Sequence, residues 1–156
     1  MNDLGPMRIR PSDKVYSHEE MSEAFPDVDP GFVPLGTKII VQLRTPKQKS
    51  KGGIILSDFD KDTELWNTQI GKVRDIGPVA FCNRETLKSW PEGAWVRIGD
   101  FVRVPKYNQD RWMIDHEGPN DATGKKTIVP VLFMLVSDID ILGKKTGNPL
   151  DVKAYI

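Results

Sequence analysis

Cysteine and histidine are rare in this chain, and its formal net charge is zero. Each of these features excludes a kind of site or partner. Cys82 is the only cysteine among 156 residues, which excludes an internal disulfide and fits a reducing compartment. The 22 lysines and arginines equal the 22 aspartates and glutamates, so the net charge gives no general attraction to nucleic acid or to an anionic membrane. No apolar run is long enough to span a bilayer, and residues 1–11 carry charges where a signal peptide needs an apolar stretch. We therefore expect a cytoplasmic protein whose partners include neither nucleic acid nor membrane.

Motifs for catalysis, metal binding and cofactor binding are missing as well. His18 and His116 are the two histidines, and neither belongs to an HExxH motif or to a Cys/His set with zinc spacing. The two GKKT stretches lack the earlier glycine of a phosphate-binding loop, and no nucleophile motif surrounds Cys82. We expect a protein that is not an enzyme and that holds neither a metal nor a cofactor.

The composition divides the chain into an arm, a domain and a tail, and its length favours a single domain with extensions. Residues 1–33 are acidic and rich in proline, and the capping-box spacing of Ser17 and Glu20 predicts one short helix there that ends at Pro26. Residues 34–143 contain short apolar stretches between Gly/Pro turns. Residues 144–156 form a polar tail.

Alternating side chains predict strands throughout the domain. In GTKIIVQLR the alternation predicts a strand with one buried face, formed by Ile39, Val41 and Leu43. Further strands are predicted at residues 70–76, 95–98 and 101–105 and in RWMIDH and TIVPVLFMLV, where Pro130 favours an edge position or a bulge. The pattern predicts an all-β fold, either a small antiparallel barrel or a sandwich.

Five stretches, in order, resemble the GroES family of co-chaperonins, including the divergent versions that phages carry: PLGTKIIVQL, KGGIIL, IGKVRDIGP, VRIGDFVRVPKY and SDIDIL. They are similar to the family's opening strand, the tip of its mobile loop, the strand after that loop, a Gly-Asp turn and the closing motif. The resemblance implies a small GroES-like antiparallel β-barrel, with a mobile loop at about residues 45–68 and a roof insertion at about residues 79–95.

The stretch GGIIL is the candidate binding site. In the family this loop docks into a groove of GroEL, which implies chaperonin binding by Gly52, Gly53, Ile54, Ile55 and Leu56. Burying each aliphatic side chain would contribute about 1.5–3 kcal/mol, whereas ordering each loop residue costs about 1–2 kcal/mol, so one loop binds weakly. Several loops on one ring bind strongly together. The resemblance implies a sevenfold homo-oligomeric ring, in which the first strand pairs with a neighbour's last strand, and a partner that binds the ATP.

Other interpretations stay open at this point. GGIIL can form a hairpin turn whose aliphatic triplet is buried in the barrel itself. Arg44 and the lysines at 47, 49 and 51 are interpreted as a solvated basic run. The proline-rich arm and the tail also suit a phage virion structural protein, such as a capsid decoration or connector subunit built on the same barrel. That protein would lie in the virion, whereas a phage-encoded co-chaperonin would lie in the host cytoplasm. An oligonucleotide-binding barrel would need a basic groove that the sequence does not offer.

Overall fold

The computed structural model describes residues 21–45, 68–106, 110–120 and 123–151. Strands make up most of the regular structure in this part of the chain. In chain order the elements are helix α1 (Met21–Ala24), strands β1 (Lys38–Leu43), β2 (Ile70–Ile76), β3 (Phe101–Arg103), β4 (Arg111–Asn120) and β5 (Lys126–Ser137), a 3-10 turn (Asp138–Asp140), strand β6 (Gly143–Lys144) and a second 3-10 turn (Pro149–Asp151).

The six strands form one antiparallel sheet in the order β4-β5-β1-β2-β3-β6. The predicted all-β fold is confirmed, and the sheet is consistent with a GroES-like barrel. Strand β1 lies at its centre, with Lys38 opposite Ser137 of β5 and Leu43 opposite Gly71 of β2. Because β1 has a neighbour on each side, the implied pairing of the first strand with another subunit cannot use β1.

The inner face of the sheet holds the main core. Gly71 fits this face because a Cβ atom at that position would collide with Val41 on the neighbouring strand. The sequence correctly predicted the three inward residues of β1, since they alternate along the strand. The buried members of this core are Ile39, Val41, Leu43, Val73, Phe81, Val96, Val102, Val104, Leu132, Met134, Val136 and Ile141.

The outer face is also covered, so the prediction of a single buried face for β1 is wrong. Ile40, an outward residue of β1, is 0% exposed and packs with Phe133 and Val131 of β5. The cover is the arm, whose Val28 joins this outer cluster. The alternation predicted the strand correctly, but it could not reveal that another segment lies over the second face.

Aromatic contacts hold the far part of the arm against β4 and β5. The indole Nε1–H of Trp112 donates a hydrogen bond to the carbonyl oxygen of Pro30 at 2.8 Å. The Phe32 ring meets the Trp112 ring edge-on at 5.1 Å between centroids, and Trp112 stacks on Phe133 at 5.9 Å. The arm is therefore held at both a polar and an apolar contact.

A buried amide holds the middle of the arm. The Gln42 side chain is 0% exposed, and its Nε2 donates to the carbonyl oxygen of Pro26 at 2.7 Å. Its Oε1 accepts a hydrogen bond from Arg74 at 2.5 Å, and Arg74 also forms an exposed ion pair with Asp27 at 3.1 Å. Because a buried amide is costly without partners, these bonds favour one register of the arm on the sheet.

The strand predicted at residues 95–98 does not form. Val96 enters the inner core instead, and Gly99 adopts a φ of +96°, a left-handed conformation that glycine adopts readily. The N–H of Gly99 donates to the Val73 carbonyl and the N–H of Val73 donates to the Asp100 carbonyl, both at 2.8 Å. Residues 95–100 therefore form a turn that is attached to β2. In this position residues 95–98 cannot pair with β3 as a hairpin.

Asp100 stabilises this turn electrostatically. Its carboxylate accepts a hydrogen bond from the Arg97 backbone N–H at 2.9 Å, and the Lys144 ammonium of β6 lies 3.1 Å away. The Arg97 hydrogen bond, helped by Lys144, holds the pKa of Asp100 below its ordinary value of 3.8. The charged form is therefore favoured in the folded protein, and this contribution is lost as the pH falls through the lowered pKa.

Pro130 lies opposite Asp115 in the long β4–β5 hairpin. Strand β1 pairs with β5 only from residue 133 to residue 137, so β4 is the one described neighbour of β5 at Pro130. This agrees with the edge position expected for a residue without a backbone N–H.

Replacing Ile40 with alanine is expected to destabilise the fold by about 2–5 kcal/mol, because the arm buries this side chain completely. Denaturant unfolding should give a similar loss for Ile39→Ala, which removes an inner-core side chain from the adjacent position. A cost below about 1 kcal/mol for Ile40→Ala, beside the full cost for Ile39→Ala, would contradict the covered outer face.

Candidate functional site

The five residues predicted to bind a chaperonin, Gly52, Gly53, Ile54, Ile55 and Leu56, lie outside the described residues. The structure describes instead where their segment leaves the sheet and returns to it. The chain leaves at Arg44 and Thr45, after β1, and returns at Thr68 and Gln69, before β2. We call these four residues the loop neck.

Arg44 is buried in the neck, so its interpretation as part of a solvated basic run is wrong. It is 1% exposed, and its backbone N–H donates to the carbonyl oxygen of Ile70 at 3.0 Å, which extends the β1–β2 pairing by one step. Its guanidinium Nη1 makes a long hydrogen bond of 3.5 Å to the carbonyl oxygen of Pro149. The sequence placed Arg44 beside lysines, and its burial depends on a tail segment more than 100 residues away.

Thr45 is held by the arm. Its backbone N–H donates to the carbonyl oxygen of Ala24, the last residue of α1, at 2.8 Å. Successive N–H groups of a strand point to opposite sides, so the Arg44 N–H faces β2 and the Thr45 N–H faces away from it. Strand β5 pairs with β1 only as far as Gln42, and α1 supplies the acceptor beyond that point.

The returning side of the neck is bound to β3 and the residue after it. The N–H of Val104 donates to the carbonyl oxygen of Gln69 at 2.8 Å. The Gln69 side chain donates to the Val104 carbonyl and accepts from Arg103, both at 3.4 Å, and Thr68 is 0% exposed. Both ends of the segment therefore start from packed, hydrogen-bonded backbone.

Three aromatic rings form the core of the segment predicted as the roof. Phe81 is buried, and its ring meets Trp90 edge-on at 5.5 Å and Trp95 at 6.1 Å between centroids. A single antiparallel bridge joins Cys82 to Ser89 on one side of this cluster. Cys82 is half-buried here, and its thiol lies 3.5 Å from the carbonyl oxygen of Ala80.

Asp138 anchors the roof to the sheet, and sequence reasoning missed it. Its buried carboxylate accepts hydrogen bonds from the backbone N–H groups of Phe81 and Ile139, both at 2.8 Å. Its own N–H donates to the carbonyl oxygen of Thr37 at 3.1 Å. The available signal was an aspartate between the apolar strand β5 and Ile139, the kind of residue that satisfies nearby backbone N–H groups.

Exposed apolar side chains collect at one end of the β1–β5 pair. Because Lys38 lies opposite Ser137, the residues before β1 and after β5 emerge at the same end of the sheet. Exposed apolar side chains that lie at one place mark an interaction site more often than scattered ones do. We call this surface the end patch, and its members are Val33, Leu35 and Ile139, each more than 60% exposed.

The described part of the chain contains no group of three His, Cys, Asp or Glu side chains placed to hold a metal ion. His116 is half-buried on β4 opposite Val129, and His18 lies outside the described residues. Among the described residues, no helix has the length and apolar character that crossing a membrane requires.

A comparison with protein-family models places these features in a known context. The model described as "Cpn10: Chaperonin 10 Kd subunit" matches residues 31–144, which is more than half of the chain. The chain belongs to the chaperonin 10 kDa family. The match includes β1 to β6, the loop neck, the roof and the end patch, and it confirms the resemblance to GroES-type co-chaperonins.

Membership in the chaperonin 10 kDa family indicates a general function. It supports a co-chaperonin role, and it implies a GroEL-type chaperonin as the partner and an oligomeric ring as the working form. Co-chaperonins of this family are not enzymes in general. Residues 21–30 of the arm and residues 145–151 of the tail lie outside the matched range.

Replacing Asp138 with alanine is expected to destabilise the protein by about 1–3 kcal/mol, because two backbone N–H groups lose their buried acceptor. The tryptophan fluorescence of the roof should change with it, since Phe81 contacts Trp90 and Trp95. Asp140→Ala is the matched control, because Asp140 lies in the same 3-10 turn and is exposed. Equal effects of the two substitutions would rule out the anchoring role.

Proposed function

We propose that this protein caps a GroEL-type chaperonin ring and assists protein folding by docking Gly52, Gly53, Ile54, Ile55 and Leu56 into the chaperonin. The observation that carries the proposal is the loop neck, whose packed ends present the segment containing GGIIL from one side of the sheet. ATP would be bound and hydrolysed by the chaperonin, and the cap itself would need no cofactor. The site of action would be the cytoplasm, that of the host if a phage encodes the protein.

The chemistry of GGIIL suits such docking. Gly52 and Gly53 allow backbone conformations that other residues reach only with strain, so the chain can turn sharply as it binds. Ile54, Ile55 and Leu56 offer aliphatic area for a groove, which gives affinity in proportion to the area buried. The ordering cost of the segment keeps a single contact weak, and simultaneous contacts from one ring multiply its strength.

The ring contact is proposed at the end patch. Strand β1 has both edges occupied, so a neighbour would contact the exposed residues just before it, Val33 and Leu35. Val33 and Leu35 are 76% and 77% exposed, and Ile139 lies at the same end of the sheet. A sevenfold ring would bury these side chains between subunits. The domain boundaries proposed from sequence, 1–33, 34–143 and 144–156, remain part of this hypothesis.

Replacing Ile54 or Leu56 with alanine is expected to weaken chaperonin binding by about tenfold or more, because each subunit of the ring loses aliphatic area in the groove. Binding to GroEL with and without ATP measures the effect, with assisted refolding as a second readout. Ile128→Ala is the matched control, since Ile128 is an aliphatic residue that is 65% exposed on β5.

The loop assignment is wrong if Ile54→Ala and Leu56→Ala bind like the wild type. Failure of the wild-type protein to bind a chaperonin, together with its co-purification with intact phage particles, would favour the virion structural role instead.

Replacing Leu35 with aspartate is expected to disrupt the ring, because the charge would be desolvated between subunits. Native mass spectrometry or sedimentation should show smaller species, while the circular dichroism of the subunit stays unchanged. Ile128→Asp introduces the same charge at an exposed aliphatic position on the hairpin and should leave the assembly intact. Intact rings with Leu35→Asp would exclude the end patch as the contact.

A further inference from the structure

Two segments outside the family-matched range meet at the loop neck. Helix α1 and the 3-10 turn Pro149–Asp151 lie before and after residues 31–144, yet both contact residues at the ends of the loop. They are joined by an apolar cluster that we call the neck cluster. Its members are Met21, Ala24, Phe25, Ile70, Phe101 and Leu150.

The neck cluster takes its side chains from the arm, strands β2 and β3, and the tail. Ala24 and Phe25 come from the arm, and Ile70 is the first residue of β2. The Phe25 ring meets Phe101 of β3 edge-on, with 5.0 Å between centroids. Leu150 packs against this cluster from the tail. Apolar burial thus holds both extensions at the point where the loop begins.

Hydrogen bonds also connect the same extensions to the neck, one through its backbone and one through a side chain. The Thr45 N–H donates to Ala24 of the arm at 2.8 Å, and the Arg44 guanidinium reaches Pro149 of the tail. A strand that left the sheet without such partners would have free backbone groups and would fray. The arm supplies the acceptor for the Thr45 N–H, the tail contacts the Arg44 side chain, and β2 begins within the cluster at Ile70.

We propose that α1 and the Pro149–Asp151 turn are positioning segments for chaperonin binding. By holding the neck at Arg44 and Thr45, they fix the direction in which the loop leaves the sheet and reduce the number of residues that must be ordered on docking. This inference rests on the proposed function, because it concerns the loop that carries GGIIL. The loop contacts the same chaperonin surface whether or not the extensions hold the neck. The extensions affect only how readily the loop reaches that surface.

Leu150→Ala tests the positioning role, with Leu135→Ala as the matched control. Both residues are half-buried leucines, but Leu150 packs in the neck cluster and Leu135 packs in the outer cluster around Ile40. Hydrogen exchange of the Thr45 amide should become about tenfold faster in Leu150→Ala through local opening of the neck. The amide of Thr45 in Leu135→Ala should exchange at the wild-type rate.

Chaperonin affinity provides the functional readout. The comparison is made at a temperature where both variants are fully folded. Rings of Leu150→Ala should bind the chaperonin about fivefold more weakly than rings of Leu135→Ala, because the loops of Leu150→Ala lose more conformational freedom on docking. Leu150→Met, which keeps the apolar volume, should restore both the exchange rate and the affinity.

The outcomes separate the two hypotheses. An unchanged Thr45 exchange rate in Leu150→Ala, or equal losses of affinity in the two leucine variants, overturns the positioning role. If Thr45 exchange responds as expected but neither wild type nor variants bind a chaperonin, the extensions do hold the neck and the proposed chaperonin-binding function fails.

Discussion

The covering of the sheet's outer face by the arm is the contact on which the other features depend. Strand β1 lies in the middle of the sheet and presents Ile40 outward, next to Phe133 of β5. Left open to water, these side chains would form an apolar surface on the outside of the barrel. The arm covers them and is held in place by the buried Gln42 amide, so the sheet is packed on both faces. The same arm then reaches the neck through α1, so one segment contacts both the sheet and the base of the loop.

The alternation of side chains predicted the strands well because it reports local geometry. The predicted strand at residues 70–76 matches β2, and the inward residues of β1 were correctly identified. Features that depend on distant segments could not be predicted in this way. Ile40 and Gln42 read as outward residues because nothing nearby in sequence indicates that the arm covers them. Residues 95–98 read as a strand, but the Gly99 turn attaches to β2 and directs Val96 into the core.

The GGIIL stretch of the candidate site could be predicted from the sequence, whereas the residues around it could not. GGIIL stood out because glycines followed by three aliphatic residues combine backbone freedom with apolar surface. Its surroundings did not stand out. The burial of Arg44 depends on Pro149 and that of Thr45 on α1, and neither partner is near in sequence. Asp138 illustrates the same limit, since its role depends on the backbone of Phe81, which is brought to it only by the fold.

The contacts of the two extensions also bear on how the chain is made. Trp112 lies 82 residues after its acceptor Pro30, and Arg44 lies 105 residues before Pro149. During synthesis the arm leaves the ribosome before β5, and its binding surface is complete only after β5 has emerged. The nascent chain must therefore hold the arm unbound until β5 has emerged, and contacts of such high sequence separation favour slow folding. In this member of a co-chaperonin family the arm is thus translated well before the surface that holds it.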